Sequence, residues 1–206
     1  MPAFARALAE GADGIELDVR ASVDGEALVI HDADLARVGG GALAVERTPW
    51  RKTTARRLQG GAHVPRLREV LDQVAGRIPV NVELKTVGVA LPVARALRPG
   101  DRIVVSSFLD EALAAFRGAA PGVDRALLTE RTPGEAPPWA RLHALGCRAW
   151  HAHHPTLTGS EVRAAAARGL TVRAYTVAHA GDARRLAAMG VAGVFVDEPG
   201  ALRQRL

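Results

Sequence analysis

Short apolar runs recur along the chain and alternate with stretches in which apolar residues have helical spacing. Leu67, Val70 and Leu71, for example, lie three and four residues apart, which places them on one face of a helix. Leu113 and Phe116 repeat this spacing further along. Alternation of apolar strands with amphipathic helices predicts βα units built around a parallel sheet. The runs predicted as strands are residues 14–19, 26–31, 78–84, 102–107, 125–129, 148–153, 171–177 and 191–197.

This alternation extends over the whole chain of 206 residues without a linker or a low-complexity tract. We therefore predict one domain over residues 1–206, with an α/β fold of the TIM-type (β/α)8 barrel class. Residues 39–60 are rich in glycine and then basic, which indicates a long excursion from the barrel. The proline-rich segment 133–138 is interpreted as a surface loop within the domain.

The formal net charge of +5 does not indicate a nucleic-acid-binding protein. Lys52 and Lys85 are the only lysines, and the arginines that supply the remaining positive charge are scattered along the chain. Neither a basic stripe nor an aromatic stacking platform is present, and these are the usual signature of nucleic-acid recognition. We therefore predict no nucleic-acid partner.

The single cysteine and the lack of long apolar runs bear on the cellular compartment. Cys147 has no partner for an internal disulfide, so a buried thiol is predicted. No run resembles a transmembrane span or a signal peptide. These features favour a cytoplasmic protein without stable membrane insertion, and they leave the oligomeric state open.

Candidate chemistry begins in the first predicted strand, where two carboxylates interrupt an apolar run. Strand side chains alternate between faces, so Glu16 and Asp18 project side by side from the face opposite Leu17. Two buried carboxylates would repel each other, and a hard divalent cation such as Mg²⁺ or Ca²⁺ would remove that repulsion. The alternative interpretation is an edge strand whose polar face meets water. A turn at Asp24 then leads to a second strand that ends at His31.

A second polar strand end, at residues 81–85, supports the metal interpretation. Asn81, Glu83 and Lys85 alternate with apolar residues, and a barrel gathers the carboxyl ends of its strands around one mouth. Glu83 would then complete a site of three carboxylates, and Lys85 would hold an anionic oxygen such as that of a phosphate. The alternative is an ordinary surface pair of Glu83 and Lys85, which would contribute little to stability.

Taken together, these segments resemble the glycerophosphodiester phosphodiesterase family. The resemblance begins with residues 3–41, which contain the ELD and HD motifs, and it covers essentially the whole chain. ELD followed by HD, ELK, SSF and a terminal aspartate is a specific combination, far stronger than any single motif. The other matching segments are HVPRLREVLD at residues 63–72, NVELK at 81–85, VVSSF at 104–108, VRAYTV at 172–177 and GVFVDEPG at 193–200.

The resemblance implies a role for each residue that matches a family motif. Glu16, Asp18 and Glu83 are expected to bind a divalent metal ion, either magnesium or calcium. His31 is expected to be one of two catalytic histidines, and Lys85 is expected to contact the phosphate of a small-molecule substrate.

Two aromatic residues align with the walls of the family's site. Tyr175 stands where the family usually has tryptophan, and Phe108 occupies a position at the lip. Both are predicted to contact substrate, with plain core packing as the alternative. His151, His153 and His154 fall in a late barrel strand, so no catalytic or metal-binding role is predicted for them.

The beginning of the chain departs from the family pattern. The family starts with a strand that carries His-Arg-Gly, followed by a Pro-Glu-Asn segment, whereas residues 1–4 align just after that segment. We therefore expect the first barrel strand, the second catalytic histidine and a phosphate-binding arginine to be absent. Either the start codon has been placed too far downstream or the chain is naturally truncated. The first explanation is favoured, because an open barrel would expose two unpaired strand edges.

The activity implied by the resemblance is metal-assisted hydrolysis of a glycerophosphodiester to an alcohol and glycerol 3-phosphate, a phosphoric diester hydrolase reaction of lipid metabolism. The chain as written is expected to be slow, because His31 alone supplies half of the acid–base pair. One alternative is a barrel that binds phosphate and metal without catalysis. Another is a related phosphodiesterase of the phospholipase type.

Overall fold

A computed structural model describes residues 2–206, with side chains from residue 3 onward. The chain divides into two compact units. The first unit comprises Asp13–Val123 together with the start of the chain up to Ala5, and the second comprises Arg6–Ala12 and Asp124–Leu206. Helix α1 spans Pro2–Ala9.

Among the described residues, six strands belong to the first unit. They are β1 (Ile15–Ala21), β2 (Ala27–Val29), β3 (Asp34–Leu35), β4 (Gly41–Ala44), β5 (Val80–Leu84) and β6 (Ile103–Ser107). Four of them follow one another in the order β2, β1, β5, β6. β1, β5 and β6 are parallel, whereas β2 folds back on β1 as an antiparallel hairpin. The short strands β3 and β4 pair separately.

Strand β1 shows how the sequence pattern separates apolar and polar faces. Ile15, Leu17 and Val19 are buried, whereas Glu16 and Asp18 between them are not. Burial of the apolar positions removes their area from water, and the two-residue period of a strand then turns the carboxylates to the other side. Strand β5 repeats this arrangement, so the predicted alternation is confirmed in both strands.

The helices of the first unit cover the apolar side chains. They are α2 (Trp50–Thr54), α3 (Leu67–Val74), α4 (Ala90–Ala96) and α5 (Asp110–Ala119), and a 3-10 turn at Val87–Val89 precedes α4. Helix α3 buries Leu67, Val70 and Leu71, which confirms the face predicted from their spacing. It ends at Ala75, whose φ of 50° lies in the left-handed region.

Residues 39–60 pack against the β1–β2 hairpin. Leu35 and Val45 join Leu28 of β2 in a buried apolar cluster. The backbone N–H of Trp50 donates to a carboxylate oxygen of Asp24 at 2.9 Å, which fastens this segment to the hairpin turn. The predicted excursion therefore shares an apolar cluster with β2, and it includes strand β4, which the apolar pattern does not predict.

The second unit contains four parallel strands, each in register with the next where their pairing is described. They are β7 (Asp124–Thr129), β8 (Ala149–His153), β9 (Thr171–Tyr175) and β10 (Gly193–Val194). The helices are α6 (Trp139–Ala144), α7 (Gly159–Ala166), α8 (Ala180–Ala188) and α9 (Pro199–Arg203). The predicted loop at 133–138 precedes α6 without a helix or strand. Within residues 2–206, no helix has both the length and the apolar character that crossing a membrane requires.

Candidate active site

Three carboxylates converge on the polar side of the sheet in the first unit. Glu16 and Asp18 come from β1, and Glu83 comes from β5, where Asp18 and Glu83 are direct register partners. One oxygen from each of the three side chains lies within 4.8 Å of the other two. The structure thus brings together the three residues for which the sequence predicts a metal site.

Lys85 lies against two of these carboxylates. Its Nζ atom is 2.6 Å from Oε1 of Glu83 and 3.4 Å from Oδ1 of Asp18. The side chains of Lys85 and Glu83 are only 16% and 12% exposed, so they do not form the solvent-exposed ion pair that was the alternative interpretation. The lysine is instead part of a partly buried charge cluster.

Burial and charge both act on the ionisation of this cluster. Burial raises the pKa of Glu83, and the neighbouring Asp18 adds to this increase, although Lys85 opposes it. Burial alone would lower the pKa of Lys85, but its hydrogen bond to Glu83 and the attraction of both carboxylates raise it. The raised pKa of Lys85 keeps its ammonium group charged at neutral pH.

The donor set fits a hard divalent cation. Carboxylate oxygens are the ligands that Mg²⁺ and Ca²⁺ prefer, and a cation would offset the repulsion between Asp18 and Glu83. Asn81 adds a further oxygen, because its buried Oδ1 has no hydrogen-bond partner among the described residues. Its Nδ2 donates to Ser106 at 2.9 Å, and its register partner on β1 is Glu16. This group of residues can therefore hold a metal ion.

His31 lies near the charge cluster and is oriented by Asp32. Its Nδ1 is 2.7 Å from Oδ1 of Asp32, and a protonated His31 lowers the pKa of Glu83. The hydrogen bonds from Arg37 and His31 lower the pKa of Asp32 to about 2. Asp32 is thus ionised and accepts a hydrogen bond from Nδ1–H of His31, which leaves Nε2 of the neutral imidazole available to accept a proton.

Arg20 and Arg37 hold this histidine segment, a role that the sequence pattern does not predict for either of them. The Nε of Arg20 donates to the backbone oxygen of His31 at 2.8 Å, and its Nη1 donates to Glu46 at 2.9 Å. Arg37 pairs with Asp32. A role for Arg20 could have been predicted, because strand alternation places it on the polar face of β1 with Glu16 and Asp18. The sequence pattern does not indicate that Glu46 binds Arg20.

The match to known proteins identifies the family. The sequence matches the Glycerophosphoryl diester phosphodiesterase family over residues 1–201. The chain belongs to this family. It is therefore an enzyme of the phosphoric diester hydrolase class, as the motifs of the sequence predict.

Individual members of the family support this assignment along the whole chain. A glycerophosphodiester phosphodiesterase of Bacillus altitudinis is 30% identical over 97% of this chain and 88% of its own length. A probable glycerophosphodiester phosphodiesterase 2 of Mycobacterium tuberculosis is 30% identical over 100% of this chain and 84% of its own length.

A solved structure confirms the predicted fold class. A phosphodiesterase of Oleispira antarctica, solved in complex with the product sn-glycerol-3-phosphate, superposes with a TM-score of 0.88 at 23% identity. The match covers 98% of this chain and 87% of that one. The α/β fold of the TIM-barrel class that the sequence predicts is thus the fold of this phosphodiesterase family.

The two aromatic residues that the family pattern places at the site lie in different units. Phe108 follows β6 and is 38% exposed. Ser107 fixes this segment, because its hydroxyl donates to the Leu84 oxygen at 2.7 Å and accepts from the Leu109 N–H at 3.1 Å. In the second unit, the Tyr175 hydroxyl donates to the Thr129 backbone oxygen at 2.8 Å. Contact of Phe108 and Tyr175 with substrate stays a prediction.

His151 of β8 lies in the interior of the second unit. His151 is fully buried, and its ring packs against Phe195 with centroids 4.9 Å apart. Burial, assisted by Arg173, lowers the pKa of His151 to about 3, so its imidazole is neutral at physiological pH. His153 and His154 follow His151 by two and three residues. Among the described residues, no histidine belongs to a cluster that could hold a metal ion.

The contact of Asp32 with His31 leads to a testable prediction. We expect Asp32→Asn to lower kcat roughly tenfold while KM stays within about twofold, because the variant loses the anion that orients the His31 ring. Steady-state kinetics on glycerophosphocholine measures both constants. Asp34→Asn is the matched control, since its carboxylate accepts a local backbone hydrogen bond from Ala36 and contacts neither His31 nor the carboxylate cluster among the described residues. Equal kcat values in the two variants would show that Asp32 does not position His31.

Proposed function

We propose that this chain hydrolyses glycerophosphodiesters to an alcohol and glycerol 3-phosphate at the cluster formed by Glu16, Asp18, Glu83, Lys85 and His31. The observation that carries the proposal is the convergence of three carboxylate oxygens within 4.8 Å of one another. Lys85 lies against two of them, Asp18 and Glu83. The proposed product is also the ligand in the solved Oleispira antarctica phosphodiesterase.

Glu16, Asp18 and Glu83 are the proposed ligands of Mg²⁺ or Ca²⁺, with Asn81 as a neighbouring neutral oxygen. When bound there, a divalent cation would supply positive charge to stabilise phosphoryl oxygens and to orient the attacking oxygen. Glu83 is held in place by Lys85 and by its position between β1 and β6. The carboxylates are therefore fixed by strands, which gives the site a stable geometry.

Lys85 is proposed to bind the phosphate directly. Its ammonium group is charged and lies beside the carboxylates, and it can donate up to three hydrogen bonds. One of these reaches Glu83, which leaves donors for a phosphoryl oxygen. Because the phosphate is anionic in both the ground state and the transition state, this contact contributes to substrate binding as well as to rate.

His31 is proposed to transfer the proton. Its side chain is 57% exposed, so a substrate can reach Nε2 without a rearrangement of the chain. The ionised Asp32 holds the proton on Nδ1 and thereby assigns the transfer to Nε2. Phe108 is proposed to bind the organic part of the substrate, since it offers an aromatic ring.

We also infer that the enzyme works in a reducing compartment, the cytoplasm. The chain has a single cysteine, the buried Cys147, so it cannot form an internal disulfide. A chain without disulfides is typical of compartments in which disulfides do not persist.

The substitution Lys85→Gln tests the phosphate contact. We expect KM for glycerophosphocholine to rise and kcat to fall, with kcat/KM lower by roughly 10- to 100-fold, because a hydrogen bond from a charged group is lost. Lys52→Gln is the matched control, since Lys52 is the other lysine of the chain and is exposed on α2. Steady-state kinetics with Mg²⁺ or Ca²⁺ measures the change. If both variants behave alike, Lys85 does not bind the phosphate.

A further inference from the structure

The backbone of His31 is held by a side chain where the pairing of β2 with β1 runs out. Strand β2 ends at Val29, and the N–H of Ile30 still donates to the backbone oxygen of Asp18 at 3.0 Å. The backbone oxygen of His31 accepts from a side chain instead, because Nε of Arg20 donates to it at 2.8 Å. The position of the His31 backbone therefore depends on Arg20.

Arg20 is in turn held by Glu46, which belongs to the excursion. Nη1 of Arg20 donates to Oε1 of Glu46 at 2.9 Å, and the side chain of Arg20 is only 15% exposed. Among the described residues, each of the two is the other's only ion-pair partner. A guanidinium presents its N–H groups in one rigid plane, so a bond at one end fixes the direction of the bond at the other. Glu46 therefore determines where Nε–H of Arg20 points.

The fold of the excursion fixes the position of Glu46. Glu46 lies on a short 3-10 turn directly after Val45, and Val45 belongs to the same buried apolar cluster as Ile30. The N–H of Val45 also donates to the backbone oxygen of Ala33 at 2.9 Å, two residues beyond His31. His31 and Glu46 thus each follow directly a member of one cluster. Both ends of the contact through Arg20 are anchored in the same small core.

We propose that Arg20 and Glu46 are positioning residues for proton transfer by His31, and that the excursion thereby contributes to catalysis. This inference rests on the proposed function, because both residues act through the role proposed for His31. Asp32 orients the imidazole ring, whereas Arg20 fixes the backbone from which the ring projects. A proton-transfer group must come within hydrogen-bond reach of the reacting oxygen, so a small displacement of that backbone lowers the rate.

An ordinary ion pair that only fastens the excursion to β1 predicts different kinetics. Such a pair would change stability, and any effect on kcat would be the same with and without the imidazole of His31. A positioning residue lowers kcat only while that imidazole is present. KM and the cation-dependent increase in melting temperature should not change, because neither Arg20 nor Glu46 belongs to the carboxylate cluster.

The test applies steady-state kinetics on glycerophosphocholine, with Mg²⁺ or Ca²⁺, to Glu46→Ala in the parent chain and in His31→Ala. We expect Glu46→Ala to lower kcat roughly tenfold in the parent, with KM within about twofold, and to have no further effect in His31→Ala. Glu46→Gln should keep kcat within about threefold of the parent, since its amide oxygen can still accept from Arg20. Arg47→Ala is the matched control, because Arg47 is exposed on the same turn.

Nuclear magnetic resonance gives a second readout that does not need turnover. The ¹⁵N relaxation of the His31 backbone amide reports its motion on the picosecond to nanosecond timescale. We expect the order parameter of this amide to fall in Glu46→Ala. It should keep the value of the parent chain in Glu46→Gln and in Arg47→Ala.

The remaining results separate this inference from the proposed function. If Glu46→Ala keeps the kcat of the parent while His31→Ala loses it, the inference is overturned and the proposed function stands. An equal fall in kcat with and without the imidazole also overturns the inference, because Glu46 would then act on the fold alone. If the parent chain does not hydrolyse the substrate, the proposed function fails and the relaxation data decide. An unchanged His31 amide in Glu46→Ala then overturns the inference, and a more mobile one shows that Glu46 positions His31.

Discussion

We expect Asp18→Asn to abolish hydrolysis and to remove the increase in melting temperature that a divalent cation produces. Asp18 contributes one of the three clustered carboxylate oxygens, and an amide has no charge to attract the cation. A ligand at about 100 times its Kd stabilises the folded state by about 2.7 kcal/mol. For a chain of this size, that corresponds to an increase of roughly 5–10 °C. Thermal melts with and without Mg²⁺ or Ca²⁺ measure the difference.

Without a cation, the same substitution should not destabilise the fold greatly. Asp18 raises the pKa of Glu83 by repulsion, so removal of its charge relieves part of the strain, although Lys85 loses its contact at 3.4 Å. Asp124→Asn is the matched control, because Asp124 forms only an exposed ion pair with Arg148. A cation-dependent increase that survives in Asp18→Asn would show that the three carboxylates do not form the metal site.

The carboxylate cluster was predictable because two local rules combine there. Strand alternation turns Glu16 and Asp18 to one side of β1, and the carboxyl ends of neighbouring parallel strands meet at one edge. The pairing of β1 with β5 then places Glu83 beside them. Strands β1 and β5 were predictable as well, because each apolar run is long enough to show the two-residue period of a strand.

Other parts of the structure depend on contacts that the sequence pattern does not encode. Strands β3 and β4 have two and four residues, too few to establish a period. Strand β10 has two residues, Gly193–Val194, where the apolar run predicted seven. The support of His31 by Arg20 depends on Glu46, which lies 26 residues further along the chain in the excursion. Only the folded excursion brings these two side chains together.

We expect His31→Ala to lower kcat by roughly 10²- to 10⁴-fold, the contribution that a positioned general acid or base makes. Metal binding should be unchanged, because His31 is held by Asp32 and is not among the clustered carboxylates. The increase in melting temperature with Mg²⁺ or Ca²⁺ should therefore match that of the parent. Steady-state kinetics and thermal melts on the same preparation provide both values, with the exposed His143→Ala as control.

The two measurements on His31→Ala distinguish a proton-transfer group from a metal ligand. Loss of the cation-dependent increase would make His31 a ligand and would overturn its proposed role. Retention of kcat would assign the proton transfer to another group. Because the His31 side chain is 57% exposed, its truncation removes little packing, and a fall in kcat cannot be attributed to a weakened fold. The size of that fall therefore reports the free energy that the imidazole contributes in the transition state.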